Sequence, residues 1–104
     1  KTGEVTVATR SVEIDGVKVR DGQVIALLDG KLVVSAESVE QSVMDLLEKA
    51  EAAEHEIVTL FYGEGMSHAD ANHIADAIGE KYPNLEVELQ EGGQPPYQFI
   101  ISIE

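Results

Sequence analysis

The chain has 104 residues, 43% of them hydrophobic, and its 20 Asp and Glu against 7 Lys and Arg leave a formal net charge of −13 at pH 7. That apolar content supports a packed core in a single domain, so the acidity belongs to a folded surface, which repels phosphates and excludes nucleic acid and anionic membrane as partners. There is no cysteine, which removes disulfides, thiolate catalysis and Cys-ligated zinc, and the longest apolar runs are far shorter than a membrane span, so a soluble protein of the reducing cytoplasm is expected.

The first third is punctuated by Asp15-Gly16, Asp21-Gly22 and Asp29-Gly30, the residue pair that tight turns with positive φ prefer. Between them lie Val5/Val7, Val12/Ile14, Val17/Val19, Val24–Leu28 and the stretch around Leu32 and Val34, which read as short antiparallel strands in hairpins. The Asp spacings of 6 and 8 residues do not match the alternating ligands of a calcium loop of about 12 residues. Turn chemistry is the better reading.

After Ser35 the period changes. Val39, Val43, Leu46, Leu47 and Ala50 fall at i, i+4, i+7, i+8 and i+11, one helical face. Ser38 with Gln41 makes a capping box, so a helix is predicted over 38–53, its acidic face in solvent. Glu56-Ile57-Val58-Thr59-Leu60-Phe61-Tyr62 then reads as a central strand, ending in Gly63-Glu64-Gly65. Ser67 with Asp70 resembles a cap, and Ala71, Ile74, Ala75, Ile78 and Tyr82 keep helical spacing until Pro83 stops them. Leu85-Glu86-Val87-Glu88-Leu89 alternates as a strand with one buried face does. Gly92-Gly93-Gln94-Pro95-Pro96 breaks the chain before a last strand over 97–103. The expected fold class is α+β: a hairpin-rich antiparallel β half, then a helix and a β-α-β-β unit, giving a mixed sheet with two helices. The strands flanking the second helix should run parallel with a right-handed crossover.

Strand, Gly63-Glu64-Gly65 and helix together have the outline of a phosphate-cradling loop. The third glycine of the dinucleotide fingerprint is missing, however, and Glu64 puts negative charge where phosphate would sit, which favours a plain turn whose glycines permit positive φ. His68 and His73 lie about 140° apart around a helix and cannot share an ion as an i, i+4 pair can. With His55 they are expected on the surface, so no metal site is assigned. No Ser/His/Asp grouping or nucleophile elbow occurs. Gly92-Gly93-Gln94 matches the hydrolytic tripeptide of peptide release factors, but that loop works inside ribosomal RNA, which a −13 chain would be repelled from.

Several segments together carry a family resemblance. They are Lys1-Thr2-Gly3-Glu4-Val5-Thr6, Ile14-Asp15-Gly16, Asp29-Gly30-Lys31-Leu32-Val33-Val34-Ser35, Ile57-Val58-Thr59-Leu60-Phe61-Tyr62-Gly63-Glu64 and the ending from Gly92-Gly93-Gln94-Pro95-Pro96-Tyr97 to Glu104. The chain resembles the extreme C-terminal part of the FakA/YloV family, bacterial proteins related to dihydroxyacetone kinase that serve as the ATP-binding subunit of fatty acid kinase. The resemblance implies the second half of a C-terminal region of DegV-like α/β design that helps to engage the acyl-binding subunit, FakB. ATP and magnesium would be held by an N-terminal helical domain of the parent, so no cofactor and no catalytic residue are expected here. The start at Lys1 without Met fits a piece of a longer protein.

A candidate site follows from topology. If the two strands around the second helix are parallel, their carboxyl ends share one edge of the sheet, where open α/β sheets bind things. One loop there carries Tyr62, Gly63, Glu64, Gly65 and His68; the other carries Gly92, Gly93, Gln94, Pro95 and Tyr97. We expect this edge to contact the acyl-binding subunit or other domains of the parent kinase. The rival readings are an autonomous small-molecule-binding domain using the turn after Tyr62, and a generic interaction domain that forms homo-oligomers through a strand edge.

Overall fold

The computed structural model describes residues 1–8, 12–14, 16–93 and 98–104. Its strands are β1 (Thr2–Val7), β2 (Val12–Ile14), β3 (Val17–Val19), β4 (Val24–Leu28), β5 (Lys31–Ala36), β6 (Ile57–Tyr62), β7 (Glu86–Glu91) and β8 (Phe99–Ile103), and its helices are α1 (Val39–Lys49) and α2 (His68–Lys81). Six strands form one mixed sheet in the order β5-β4-β1-β8-β6-β7, while β2 and β3 form a separate hairpin. The β6–β7 pair is parallel, as expected for strands joined by α2, and the other pairings are antiparallel. The hairpin half and the β-α-β-β half are therefore one sheet, because β8 inserts between β1 and β6.

Local chemistry accounts for the helix starts. Ser38 Oγ accepts the Gln41 N–H and Ser67 Oγ accepts the Asp70 N–H, each at 3.1 Å, so one otherwise orphaned donor of each first turn is satisfied. Only half of the predicted capping box at Ser38 is seen, since the Gln41 amide donates to Asp45 Oδ1 at 2.7 Å. The first helix also ends earlier than predicted, at Lys49. Glu51 adopts a left-handed conformation with φ of 57°, after which residues Ala52–Glu54 form one 3-10 turn, and the Lys1 side-chain ammonium donates to the Ala50 carbonyl at 3.0 Å. A non-glycine residue in that conformation leaves no glycine signal to read. The Asp29-Gly30 turn does carry its signal: φ is 50° and 86°, the pair of positive values that a two-residue hairpin of this hand requires.

Both helices cover one face of the sheet, α1 over β5, β4 and β1, and α2 over β7 and β6. Alternate strand residues meet them there: Val5, Ala26, Val34, Leu60, Phe99 and Ile101 join Val43, Leu46, Leu47, Ile74 and Ile78 in one buried cluster. Each fully buried aliphatic or aromatic side chain contributes about 1.5–3 kcal/mol. On β5 the register shifts at a bulge, where Ala26 pairs with Val34 but Leu27 pairs with Leu32. The shift turns Leu32 to the face opposite the helices. The β2–β3 hairpin lies against β5, and both Val19 and Leu32 are buried.

Gly3 fits its place by lacking a side chain, since a Cβ there would come within 2.5 Å of Leu46 Cδ2, and Leu46 is wholly buried. Gly3→Ala is expected to destabilise the protein by about 1–3 kcal/mol in urea unfolding, and less so when Leu46 is also shortened to Ala. Ser42 is the opposite case: its hydroxyl is buried without a hydrogen-bond partner among the described residues. Ser42→Ala should raise stability by up to about 1 kcal/mol in the same assay.

Candidate functional site

The structure brings the carboxyl ends of β6 and β7 together. The Tyr62 carbonyl accepts N–H bonds from both Gly92 and Gly93, at 2.9 and 3.1 Å, and the Gly63 N–H donates to the Gln98 carbonyl at 2.8 Å. The loops leaving β6 and β7 are thus tied to each other and to the start of β8 by main-chain bonds. Positive φ falls at Gly93 (68°), and neither Gly63 nor Gly65 adopts it, so the turn after β6 does not use its glycines for the positive φ that the sequence predicts there. Gly63 is buried, while Glu64 and Gly65 are exposed. Gln94, Pro95 and Tyr97, predicted in the second loop, lie outside the described residues.

Tyr62 is the centre of the described cluster. It ends β6 on the core face, is 9% exposed, and directs its hydroxyl to the surface. The hydroxyl donates to Glu91 Oε2 at 3.4 Å and lies 3.3 Å from His68 Nδ1. The His68 ring stands edge-on to the phenol, with centroids 5.8 Å apart. One phenolic proton cannot serve both neighbours, so with Glu91 as acceptor the contact to His68 is satisfied by the tautomer whose Nδ1–H donates to Tyr62 Oη. Each element supplies one member. Tyr62 is the last residue of β6, Glu91 the last of β7, and His68 the first of α2.

Sequence reasoning singles out Tyr62 and His68 and misses Glu91. The parallel register pairing Tyr62 with Glu91 is the signal that could have found it, since residues paired across adjacent strands share a face. His73 goes elsewhere, to an exposed contact with Glu40 at 3.0 Å that joins the helices, and His55 is half-buried at the opposite end of β6. Among the described residues no group of three or more His, Asp or Glu is placed to hold a metal ion, and no helix is long and apolar enough to cross a membrane.

Burial pushes the Tyr62 phenol above its ordinary pKa of 10.0, and the charge and hydrogen bond of Glu91 push it the same way. The neutral phenol therefore persists at physiological pH as a donor to Glu91. Among its described residues the edge exposes carboxylates at Glu64 and Glu91 but no Lys or Arg for an anionic ligand. Because the folded-state value is raised, this stability is complete below the unfolded value near 10 and is lost as pH rises through the folded one. Tyr62→Phe should therefore flatten the fall of stability with alkaline pH and remove a phenol that titrates above 10.0 from the ultraviolet absorbance titration. Glu91→Gln should make that phenol titrate earlier.

Compared with protein-family models, residues 1–104 match the one that describes the C-terminal region of FakA-like fatty acid kinase subunits. Similar proteins include uncharacterized proteins of Staphylococcus aureus strains USA300 and MRSA252 and of Staphylococcus epidermidis. Each is 36% identical over 104 residues, an alignment covering 100% of this chain and 19% of the relative. The chain spans about a fifth of the length of the curated relatives it matches.

Proposed function

Because the chain belongs to the family of FakA-like C-terminal regions of fatty acid kinase, we propose that it is a non-catalytic module of such a kinase, engaging the acyl-binding partner through the carboxyl edge of β6 and β7. The observation that carries this reading is the joining of two loops at that edge, with the Tyr62 carbonyl holding Gly92 and Gly93 while its phenol meets His68 and Glu91. Backbone bonds fix Gly63, Gly92 and Gly93 at this edge, and a buried phenol orients the His68 and Glu91 side chains. A recognition surface benefits from such preorganisation, because less ordering entropy is lost on binding.

ATP and magnesium would be held elsewhere in the parent protein, and phosphoryl transfer to the fatty acid would take place there. This module contributes by bringing the acyl-binding partner to that site. Exposed carboxylates at Glu64, Asp70 and Glu91 favour a basic patch on the partner, so the complex should weaken as salt rises.

The test uses the whole parent protein with its acyl-binding partner. His68→Ala and Gln94→Ala are each expected to weaken the complex about tenfold, the scale of one truncated interface contact, and to lower acyl phosphate formation in proportion. Their melting temperatures should stay close to that of the parent. Unchanged binding, or a loss of activity matched by unfolding, would overturn the proposal.

A further inference from the structure

The two edges of the sheet are built differently. At one, β5 is interrupted by the bulge between the Ala26 and Leu27 pairings and is flanked by the β2–β3 hairpin, two devices that keep a strand edge from pairing further. At the other, β7 pairs with β6 through six consecutive residues with no shift of register, and no described strand lies on its far side.

Hydrogen bonding tells which groups the β7 edge presents. The Glu86 N–H donates to the Glu56 carbonyl and the Gly92 N–H to the Tyr62 carbonyl, so the even-numbered residues of β7 direct their main-chain groups toward β6. In a parallel pair alternate residues face opposite ways, which leaves the N–H and C=O groups of Val87, Leu89 and Glu91 directed outward. A groove of about 600 Å³ runs beside them between β7 and α2. Leu85, Val87 and Leu89 form its apolar floor, and Ala75 and Gly79 of α2 form a low wall. A Cβ at Gly79 would meet nothing within 4 Å. Asp76 and Glu80 line the same groove, with no basic residue among the described ones, and Glu86 and Glu88 are exposed on the strand itself.

We infer that the β7 edge is a docking site for an extended segment of a partner in which apolar and basic residues alternate, added to the sheet as a seventh strand. Alternate side chains of an added strand fall on the two faces of the sheet. Apolar ones would enter the groove over Val87 and Leu89, and Lys or Arg would lie over Glu86 and Glu88. A second copy of this chain is disfavoured, because pairing β7 with itself places Glu86, Glu88 and Glu91 against like charges. Only Glu91 is shared with the carboxyl-edge site, through its main chain here and its side chain there, and the docking edge does not depend on that site's role.

The experiment records amide NMR spectra and hydrogen exchange of the chain on titration with a short, end-blocked peptide of alternating Lys and Val. The expected result is saturable perturbation centred on β7, with slowed exchange at the Val87, Leu89 and Glu91 amides. Binding should weaken about tenfold or more when Glu replaces Lys, when the peptide is N-methylated on its inward-facing nitrogens, or when salt is raised. Gly79→Leu fills the groove and improves helix propensity, so it should abolish binding without lowering the melting temperature. Equal binding of the Glu peptide, perturbation centred on β5, or undiminished binding to folded Gly79→Leu would overturn the inference. So would a dimer of the free chain that protects the β7 amides.

Discussion

Strand β8 is hydrogen-bonded on both sides, to β1 and to β6, and the rest of the molecule depends on that double pairing. Its residues Phe99, Ile101 and Ile103 are wholly buried, and they sit where the territory of α1 meets that of α2. Without β8, β1 and β6 would each present an open edge, and each helix would cover half a sheet. Burial of three such side chains is worth about 4.5–9 kcal/mol, comparable to the net stability of an ordinary domain. The same strand holds the loop edge in place, because the Gly63 N–H bonds to Gln98 just before β8 begins.

What the sequence disclosed was what is local. Ser38 and Ser67 lie one residue before their helices and cap them through their own side chains; the Asp29-Gly30 turn shows its positive φ in its residue types. Long-range pairing left no comparable mark. Nothing in the run ending at Ile103 says that it lies between β1 and β6, since an apolar alternation shows that one face is buried but not which strands are its neighbours. The end of α1 is overshot for a related reason. The apolar period runs through Ala50, which is buried, while the left-handed Glu51 that breaks the helix is an ordinary residue by composition.

The candidate site shows the same division. Topology places Tyr62 and His68 near the Gly92-Gly93 loop, because one crossover helix between parallel strands puts their carboxyl ends at one edge. Glu91 escapes notice, since it looks like any other carboxylate in an acidic chain and acquires its role only through its register opposite Tyr62. The net charge of −13 hides such residues: with so many solvated carboxylates, the one that orients a buried phenol is indistinguishable until the strands are aligned.

The pairing of β1 with β8 has a kinetic meaning as well. Thr2 lies opposite Ser102, and Val5 opposite Phe99, so the contact at the middle of the sheet joins segments from the two extremes of the chain. Closing so long a loop is entropically costly, and topologies dominated by distant pairings fold slowly. On the ribosome, β1, β4 and β5 with α1 can assemble early as a meander, yet β1 keeps an open edge until Phe99–Ile103 has been made. That interval leaves a strand edge unpaired, open to pairing with a neighbouring chain until β8 closes it.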